Sequence, residues 1–367
     1  MKILHTADWQ LGKPFAKFEG DARSALTEAR FDVIDTIGKA AADNGVPHVL
    51  IAGDVFDTDG PDDRTIIQAL TRMSRYHCRW WLLPGNHDSV RSGGLWDRVR
   101  ATAGANIEIL TEAAPHDLGN DVWLLPAPLT HRHNLEDPTA PFSAMETPGA
   151  KLRIGLAHGS IRDFGTRGET NNQIDPGRAQ KSRLDYLALG DWHGSLRIDA
   201  RTWYSGTPET DSFVREEPGR ALIVELSQNA DPVVTPIRTG RFQWLKQDWR
   251  VDDQTAFDAE YRRLLESIEP ATTLLQLTLN GITRLADRLA ILAKLENDIV
   301  HQLRYLEVRS NDLVGRPGDD DLASLAGEGM LGLTATKLTD RIEAGGPDSI
   351  IARRALERLF VEFNRGE

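Results

Sequence analysis

A single cysteine in 367 residues, Cys78, rules out an internal disulfide and leaves too few thiolates for a sulfur-ligated metal site. That usage fits a reducing cytosol, and Cys78, following Tyr76-His77 at the start of an apolar run, reads as a buried thiol. No apolar run approaches the roughly 18 residues of a membrane span. The opening Met1-Lys2-Ile3-Leu4-His5 is too short an apolar stretch for a secretory leader, so neither export nor insertion is expected. An excess of basic residues is also missing. With 43 Lys and Arg against 55 Asp and Glu, the formal charge of −12 excludes a protein that coats DNA with its whole surface. Contact with a polyanion must be local, helped by bound divalent ions or by a basic partner. Internal repeats are absent, and 40% apolar with 27% charged residues describes an ordinary globular chain. Its length calls for one large domain and one or two small ones.

Over the first 240 or so residues, short apolar runs end in polar clusters. Lys2 to Thr6 leads to Asp8, Val49 to Ala52 to Gly53-Asp54, and Trp80 to Leu83 to Pro84-Gly85-Asn86-His87. Ile154 to Ala157 leads to His158, and Tyr186 to Leu189 to Gly190-Asp191. Runs so short and so bounded read as buried strands. Ala25, Ala29, Val33, Ile37 and Ala41 fall at helical spacing before Gly45, and Arg64 to Tyr76 reads as a second helix. The class is α/β: strand, helix, strand, helix, strand implies a parallel sheet under helices, with ligands at the carboxyl ends of its strands. Trp203 to Thr235 is shorter and turn-rich, with Ala221 to Leu226 its clearest strand, and is expected to complete a sandwich as a second sheet. Between Asp248 and Arg309, two helices (253–268 and 284–297) and two strands (274–279 and 303–309) suggest a small α+β domain. Gly315 to Asp321 reads as a linker, and Ile351, Ala355, Leu359 and Phe363 as one face of an amphipathic helix.

Five clusters carry metal-binding residue types: Asp8-Trp9-Gln10, Gly53-Asp54-Val55-Phe56-Asp57, Gly85-Asn86-His87-Asp88, His158-Gly159 and Gly190-Asp191-Trp192-His193-Gly194. Carboxylate, imidazole and amide oxygen together suit pairs of manganese, iron or zinc. A carboxylate can bridge two ions about 4 Å apart, and Asp54 is the candidate bridge. Such a pair lowers the pKa of bound water to roughly 7 and stabilises charge on phosphoryl oxygens. His87 is the candidate to assist at the leaving oxygen, with Asp88 orienting its ring. Taken singly, each Gly-Asp reads as a turn or cap, Asn86 as a turn residue and His158 as structural. Five clusters, each at the end of an apolar run, point instead to a metal site.

These motifs, Gly-Asp-x-Phe-Asp, Gly-Asn-His-Asp, the isolated His-Gly and the closing Gly-x-x-His, resemble those of the calcineurin-like metallophosphoesterases, in order and spacing those of SbcD and YhaO-type DNA nucleases. His5-Thr6-Ala7-Asp8-Trp9 and Trp203-Tyr204-Ser205-Gly206-Thr207-Pro208-Glu209 are similar to that subfamily as well. The likeness covers roughly residues 1 to 226. It implies a four-layer β-sandwich flanked by helices over 1–240, a small α+β capping domain over 241–314, and a linker with a helical partner-binding segment over 315–367. It further implies two divalent ions, manganese first among them, one on Asp8, Asp54 and His193, the other on Asp54, Asn86 and His158. DNA is the implied substrate, an SbcC-type ATPase the implied partner, a homodimer the implied pairing, and the nucleoid the implied place. Two positions depart from the pattern. Gln10 stands where the family has the histidine of Asp-x-His, and Asp191 where it has the first histidine of Gly-His-x-His. Asp191 is a competent anionic ligand, whereas Gln10 offers only a neutral amide oxygen, so the first ion is expected to be the weaker.

Trp9 and Trp192, each mid-motif, are candidates to wall the pocket and stack a base, with packing beneath the metals as the alternative. Arg162 and Arg167 are candidate phosphate contacts, although Arg178, Lys181 and Arg183 beside them are interspersed with Asp163, Glu169, Asp175 and Asp185, as in a solvated loop. The leading expectation is a DNA exonuclease and endonuclease. A phosphodiesterase for small or protein-bound phosphates and a catalytically reduced DNA-end or ATPase-binding subunit are the rivals.

Overall fold

The computed structural model describes residues 1–162, 171–214, 217–316 and 329–365, divided into two compact units, Met1–Gln243 and Trp244–Glu367. In the first unit the strands run β1 (Lys2–Thr6), β2 (His48–Ile51), β3 (Arg79–Leu82), β4 (Ile107–Ile109), β5 (His116–Asp117), β6 (Val122–Ala127) and β7 (Leu152–His158). After them come the short β8 (Ser160–Ile161) and β9 (Gln173–Ile174), then β10 (Tyr186–Gly190), β11 (Leu196–Arg197), β12 (Thr202–Tyr204), β13 (Arg220–Glu225) and β14 (Val233–Arg238). They form two six-stranded sheets, β14-β13-β1-β2-β3-β4 and β11-β12-β10-β7-β6-β5. β1 to β4 are parallel, as are β6, β7, β10 and β12, with antiparallel strands at the edges.

Period-two alternation sorts successive side chains to the two faces of the first sheet. Leu4, Val49, Ile51, Trp80 and Leu82 meet the helices α1 (Gly20–Asp43), α2 (Asp63–Met73) and α3 (Leu95–Thr102). Ile3, Leu50, Trp81 and Leu83 turn the other way, onto Leu124, Ile154, Leu156 and Tyr186 of the second sheet. The outer face of the second sheet is covered by a further core that includes Phe142, Ala179 and Leu184. Each large side chain so buried stabilises the fold by about 1.5–3 kcal/mol. The layering is therefore helix, sheet, sheet, cover, as the motifs imply.

One sequence expectation is corrected. The segment 203–235 does not form the second sheet: β13 pairs with β1 and β14 with β13, so the chain returns to the first sheet, and only β12 joins the second. The second sheet comes from the middle of the chain. Apolar runs reveal that a strand is buried and say nothing of which neighbour it pairs with.

In the second unit β15 (Gln243–Arg250), β16 (Thr273–Arg284) and β17 (Tyr305–Arg316) form a three-stranded sheet, with helices Gln254–Ser267 and Leu285–Lys294 contributing to its core. Gly315 lies inside β17 rather than in a linker, because the strand runs on in register with Thr283 and Arg284. Residues 317–321 of that expected linker fall outside the described residues. Helix Met330–Ala344, which no sequence pattern announced, packs with Asp348–Arg365 through Ala335, Leu356 and Leu285. Among the described residues no helix is long and apolar enough to cross a membrane.

Candidate metal centre

The carboxyl ends of β1, β2, β7 and β10 converge, as parallel strands require of residues that follow them. Ala52 N donates to Thr6 O at 2.8 Å, and Asp8 N to Gly53 O at 3.1 Å, which ties the β1 and β2 exits together. His158, the last residue of β7, donates from Nδ1 to Ala52 O at 2.8 Å and so joins the second sheet to the first. Asp191 N donates to both oxygens of Asp8, at 3.1 and 3.2 Å. Asp8, Gln10, Asp54 and Asp191 all have positive φ, at 56°, 43°, 53° and 99°. Left-handed backbone at a non-glycine residue costs of order 1 kcal/mol, so strain gathers where the strands end.

Close approach demands glycine at Gly190, where a Cβ would fall 1.9 Å from Ala52 O and 2.8 Å from His158 Nδ1. Gly190→Ala is expected to destabilise the protein by about 3 kcal/mol by driving the two sheet ends apart. Denaturant unfolding measures this; a midpoint equal to that of the parent would contradict it.

Ligand atoms of Asp8, Asp54 and His158 lie within 4.8 Å of one another, and all three residues are buried. His158 Nε2 is 3.0 Å from Asn86 Oδ1, 3.5 Å from Asp54 Oδ1 and 3.8 Å from Asp191 Oδ1. The other Asp191 oxygen accepts from Ser160 Oγ at 2.6 Å. The backbone N–H of His87 donates to Asp54 Oδ1 at 3.0 Å, and its Nδ1 donates to Asp57 O at 2.8 Å, which leaves Nε2 as the available ring nitrogen.

Asp88 does not orient the His87 ring. Its carboxylate turns inward to accept from Gly85 N at 2.6 Å and Phe56 N at 3.0 Å, holding the loop, while Asp57 O aligns the imidazole. Trp9 does not wall a pocket either. It is fully buried, edge-on to Trp80 at 5.9 Å between centroids, and donates from Nε1 to Thr6 Oγ1. Trp192 is half-buried against the outer core of the second sheet. Arg162 is exposed, with its backbone N–H on Ile174 O, and Arg167 lies outside the described residues.

On the Asp8 side, Gln10 is buried and its Oε1 accepts from Lys13 Nζ at 3.0 Å. Lys13 also pairs with Asp211, as does Arg30 at 3.1 Å. His193 stands outside the compact trio, with Nδ1 3.7 Å from Asp211. Asp211 is the residue that sequence reasoning missed. Its one signal is position, two residues past the Gly-Thr-Pro-Glu motif whose Glu209 accepts from Arg241 N and Phe242 N.

Burial, partly offset by His193 and His158, raises the Asp8 carboxyl to about 6. Burial and then Asp54 raise Asp88 to about 7. Burial pulls His158 down, but Asp54, Asp8 and Asp191 outweigh it and lift the imidazole to about 9. Burial likewise opposes ionisation of Asp211, yet His193, Arg30 and Lys13 hold it well below the usual carboxylate range. A buried cluster that must take up protons to relieve its own negative charge fits a divalent cation, and its oxygens, amide and imidazole are the donors that manganese, iron or zinc accept.

A carboxyl with a raised folded pKa holds its proton more tightly in the folded state, so its stabilisation is complete below the unfolded value of 3.8 and lost as pH climbs through about 6 for Asp8 and about 7 for Asp88. His158 contributes below 6.5 and loses its contribution through about 9. Metal-free protein is therefore expected to lose stability from about pH 5 to about pH 9, and manganese to restore more at the alkaline end. Melting curves in chelator and in manganese test this; a chelated protein that gains stability towards pH 9 contradicts it.

A family described as calcineurin-like phosphoesterase matches residues 1–224. The chain is 31% identical over 144 residues to the SbcD component of nuclease SbcCD from Bacillus subtilis (strain 168), across 38% of this chain and 31% of that protein. To the same component from Escherichia coli (strain K12) it is 37% identical over 93 residues, across 24% and 22% respectively. To DNA double-strand break repair protein Mre11 of Methanosarcina acetivorans it is 25% identical over 240 residues, across 62% and 37%. The matched segments thus span 31%, 22% and 37% of these curated relatives.

Proposed function

Because the chain belongs to the calcineurin-like phosphoesterase family, we propose that it is a divalent-metal-dependent DNA nuclease of the repair type, cutting phosphodiester bonds as an exonuclease and endonuclease. The observation that carries the proposal is the buried convergence of Asp8, Asp54, Asn86, His158 and Asp191 at the strand ends. The relatives named as nucleases and as a double-strand break repair protein supply the substrate class.

In this reading Asp54 would serve both ions, and Asp8, Gln10 and His193 would hold one while Asn86, His158 and Asp191 would hold the other. Divalent ions, manganese first among them, acidify water and neutralise charge gathering on phosphoryl oxygens. The chain's own residues do the positioning. Asp57 O holds the His87 ring by its Nδ1–H and leaves Nε2 for the reaction, so that the protonated ring can give its Nε2 proton to the leaving oxygen. Because His87 N is bonded to Asp54 Oδ1, the imidazole and the bridging carboxylate move as one. Asp88 holds the loop that carries both Asn86 and His87.

Residues 1–240 are the nuclease domain, residues 241–314 a capping domain, and the C-terminal helices within 315–367 a surface for an SbcC-type ATPase in the cytoplasm, at the nucleoid. Met330, Leu333, Ile350 and Ile351 are exposed apolar residues on those helices, which supports a partner there. A homodimer would pair two such sites on DNA. Assays on labelled linear and hairpin DNA with manganese, magnesium and zinc are expected to show manganese-stimulated cutting, and no hydrolysis of a cyclic nucleotide. The reverse pattern would assign a small-molecule phosphodiesterase. Absence of cutting together with less than one bound ion per chain would assign a non-catalytic subunit.

A further inference from the structure

The two halves of the candidate centre are built differently. Around His158 Nε2, the inner atoms Asn86 Oδ1, Asp54 Oδ1 and Asp191 Oδ1 lie at 3.0, 3.5 and 3.8 Å. The groups that hold His158 and Asp191 attach from outside, Ala52 O at the far ring nitrogen and Ser160 Oγ at the far Asp191 oxygen. His158 and Asp191 are thus each oriented by a partner outside the centre, while Asp54 Oδ1 is held by the His87 backbone N–H and no lysine or arginine among the described residues sits on any of these ligand oxygens.

Around Gln10 the arrangement is reversed. Its Oε1, the one atom through which the side chain could ligate, already accepts from the Lys13 ammonium at 3.0 Å. The same ammonium pairs with Asp211, so two acceptors pin it in place. Arg30, 1% exposed, pairs with Asp211 at 3.1 Å and donates to Trp9 O at 2.6 Å, so it has no route to withdraw. A carboxylate on the far nitrogen of His193 would ordinarily strengthen that imidazole as a ligand. Here Lys13 and Arg30 draw on the same carboxylate, so Asp211 is shared among three groups and the two fixed cations offset the negative charge that Asp8 brings to that position. In a largely buried setting, solvent screens those cations poorly.

Resting on the metal-dependent reading above, we infer that this protein holds one divalent ion tightly, at Asp54, Asn86, His158 and Asp191, and that Lys13 keeps the neighbouring position at Gln10 and His193 weak, by roughly 100-fold in affinity. Lys13 is a positioning residue in this account: it acts through Gln10 and Asp211. At low metal the native protein carries a single ion, and the second position fills only at high metal concentration.

Manganese titration of the full chain, by calorimetry and by electron paramagnetic resonance, tests the inference without reference to turnover. The native protein should bind one ion tightly, with the six-line signal of an isolated manganese at one equivalent and the broadened signal of a coupled pair only in large excess. Lys13→Met should tighten the second ion by roughly 100-fold, and adding Gln10→His should tighten it further. Asn86→Ala should weaken the tightly bound ion, while Gln10→Ala leaves that ion unchanged. Two ions of equal affinity in the native protein overturn the inference and leave the metal-dependent reading standing. An unchanged second ion in Lys13→Met overturns the role of Lys13. Failure to bind any manganese overturns both.

Discussion

Asp54→Asn is expected to abolish manganese binding and to lower DNA cleavage by roughly 10⁴-fold or more. Asp54 has a ligand atom close to those of both Asp8 and His158, and in the proposed reading it serves both halves of the centre. The substitution keeps an oxygen able to accept the His87 N–H, so the Asn86–His87 loop retains its anchor and the change is one of charge. Asp54 helps to raise the carboxyl groups of both Asp8 and Asp88, and its loss relieves that repulsion. It also removes the ion pair with His158 at 3.5 Å, so the metal-free variant should melt close to the parent. The discriminating measurement is the melting temperature with and without manganese: the parent shifts upward and the variant does not. A variant that keeps the manganese-dependent shift would remove Asp54 from the centre.

His87→Ala is expected to lower kcat by roughly 10²- to 10⁴-fold while bound manganese and KM stay near their parental values. The imidazole is no part of the compact ligand group, and Asp57 O takes its Nδ1, so what the alanine removes is the free Nε2. The loop itself is held by backbone groups and by Asp88, none of which the substitution touches. Metal content separates a chemical role from a structural one. If manganese is lost in proportion to activity, His87 organises the site and does not act on the substrate.

Adjacency in sequence was a poor guide to contact at two places. Asp88 follows His87 and invited pairing with its ring, but the turn sends the two side chains apart, and buried backbone donors at Gly85 and Phe56 claim the carboxylate. A buried N–H left without an acceptor costs about 1–3 kcal/mol, which decides the matter locally. Trp9 sits between two polar residues of a site motif, yet its indole belongs to the core shared with Trp80, because apolar area of that size is most stable out of water. Asp211 shows the opposite failure. Only its place just past the Gly-Thr-Pro-Glu motif marks it in the chain, and its importance comes from Lys13, Arg30 and His193, which reach it from other segments.

What the residues determined by themselves was the chemistry available and its place on strands: carboxylate, amide and imidazole after short apolar runs, which parallel sheets deliver to one edge. Burial and alternation are local properties, and they were legible. Tertiary structure alone decided that β13 returns to β1, that Asp88 supports a loop, and that Lys13 occupies the oxygen of Gln10. Each of these is a competition between partners far apart in the chain, settled by distance and charge once the sheets have packed, and a linear order of residues carries no distances.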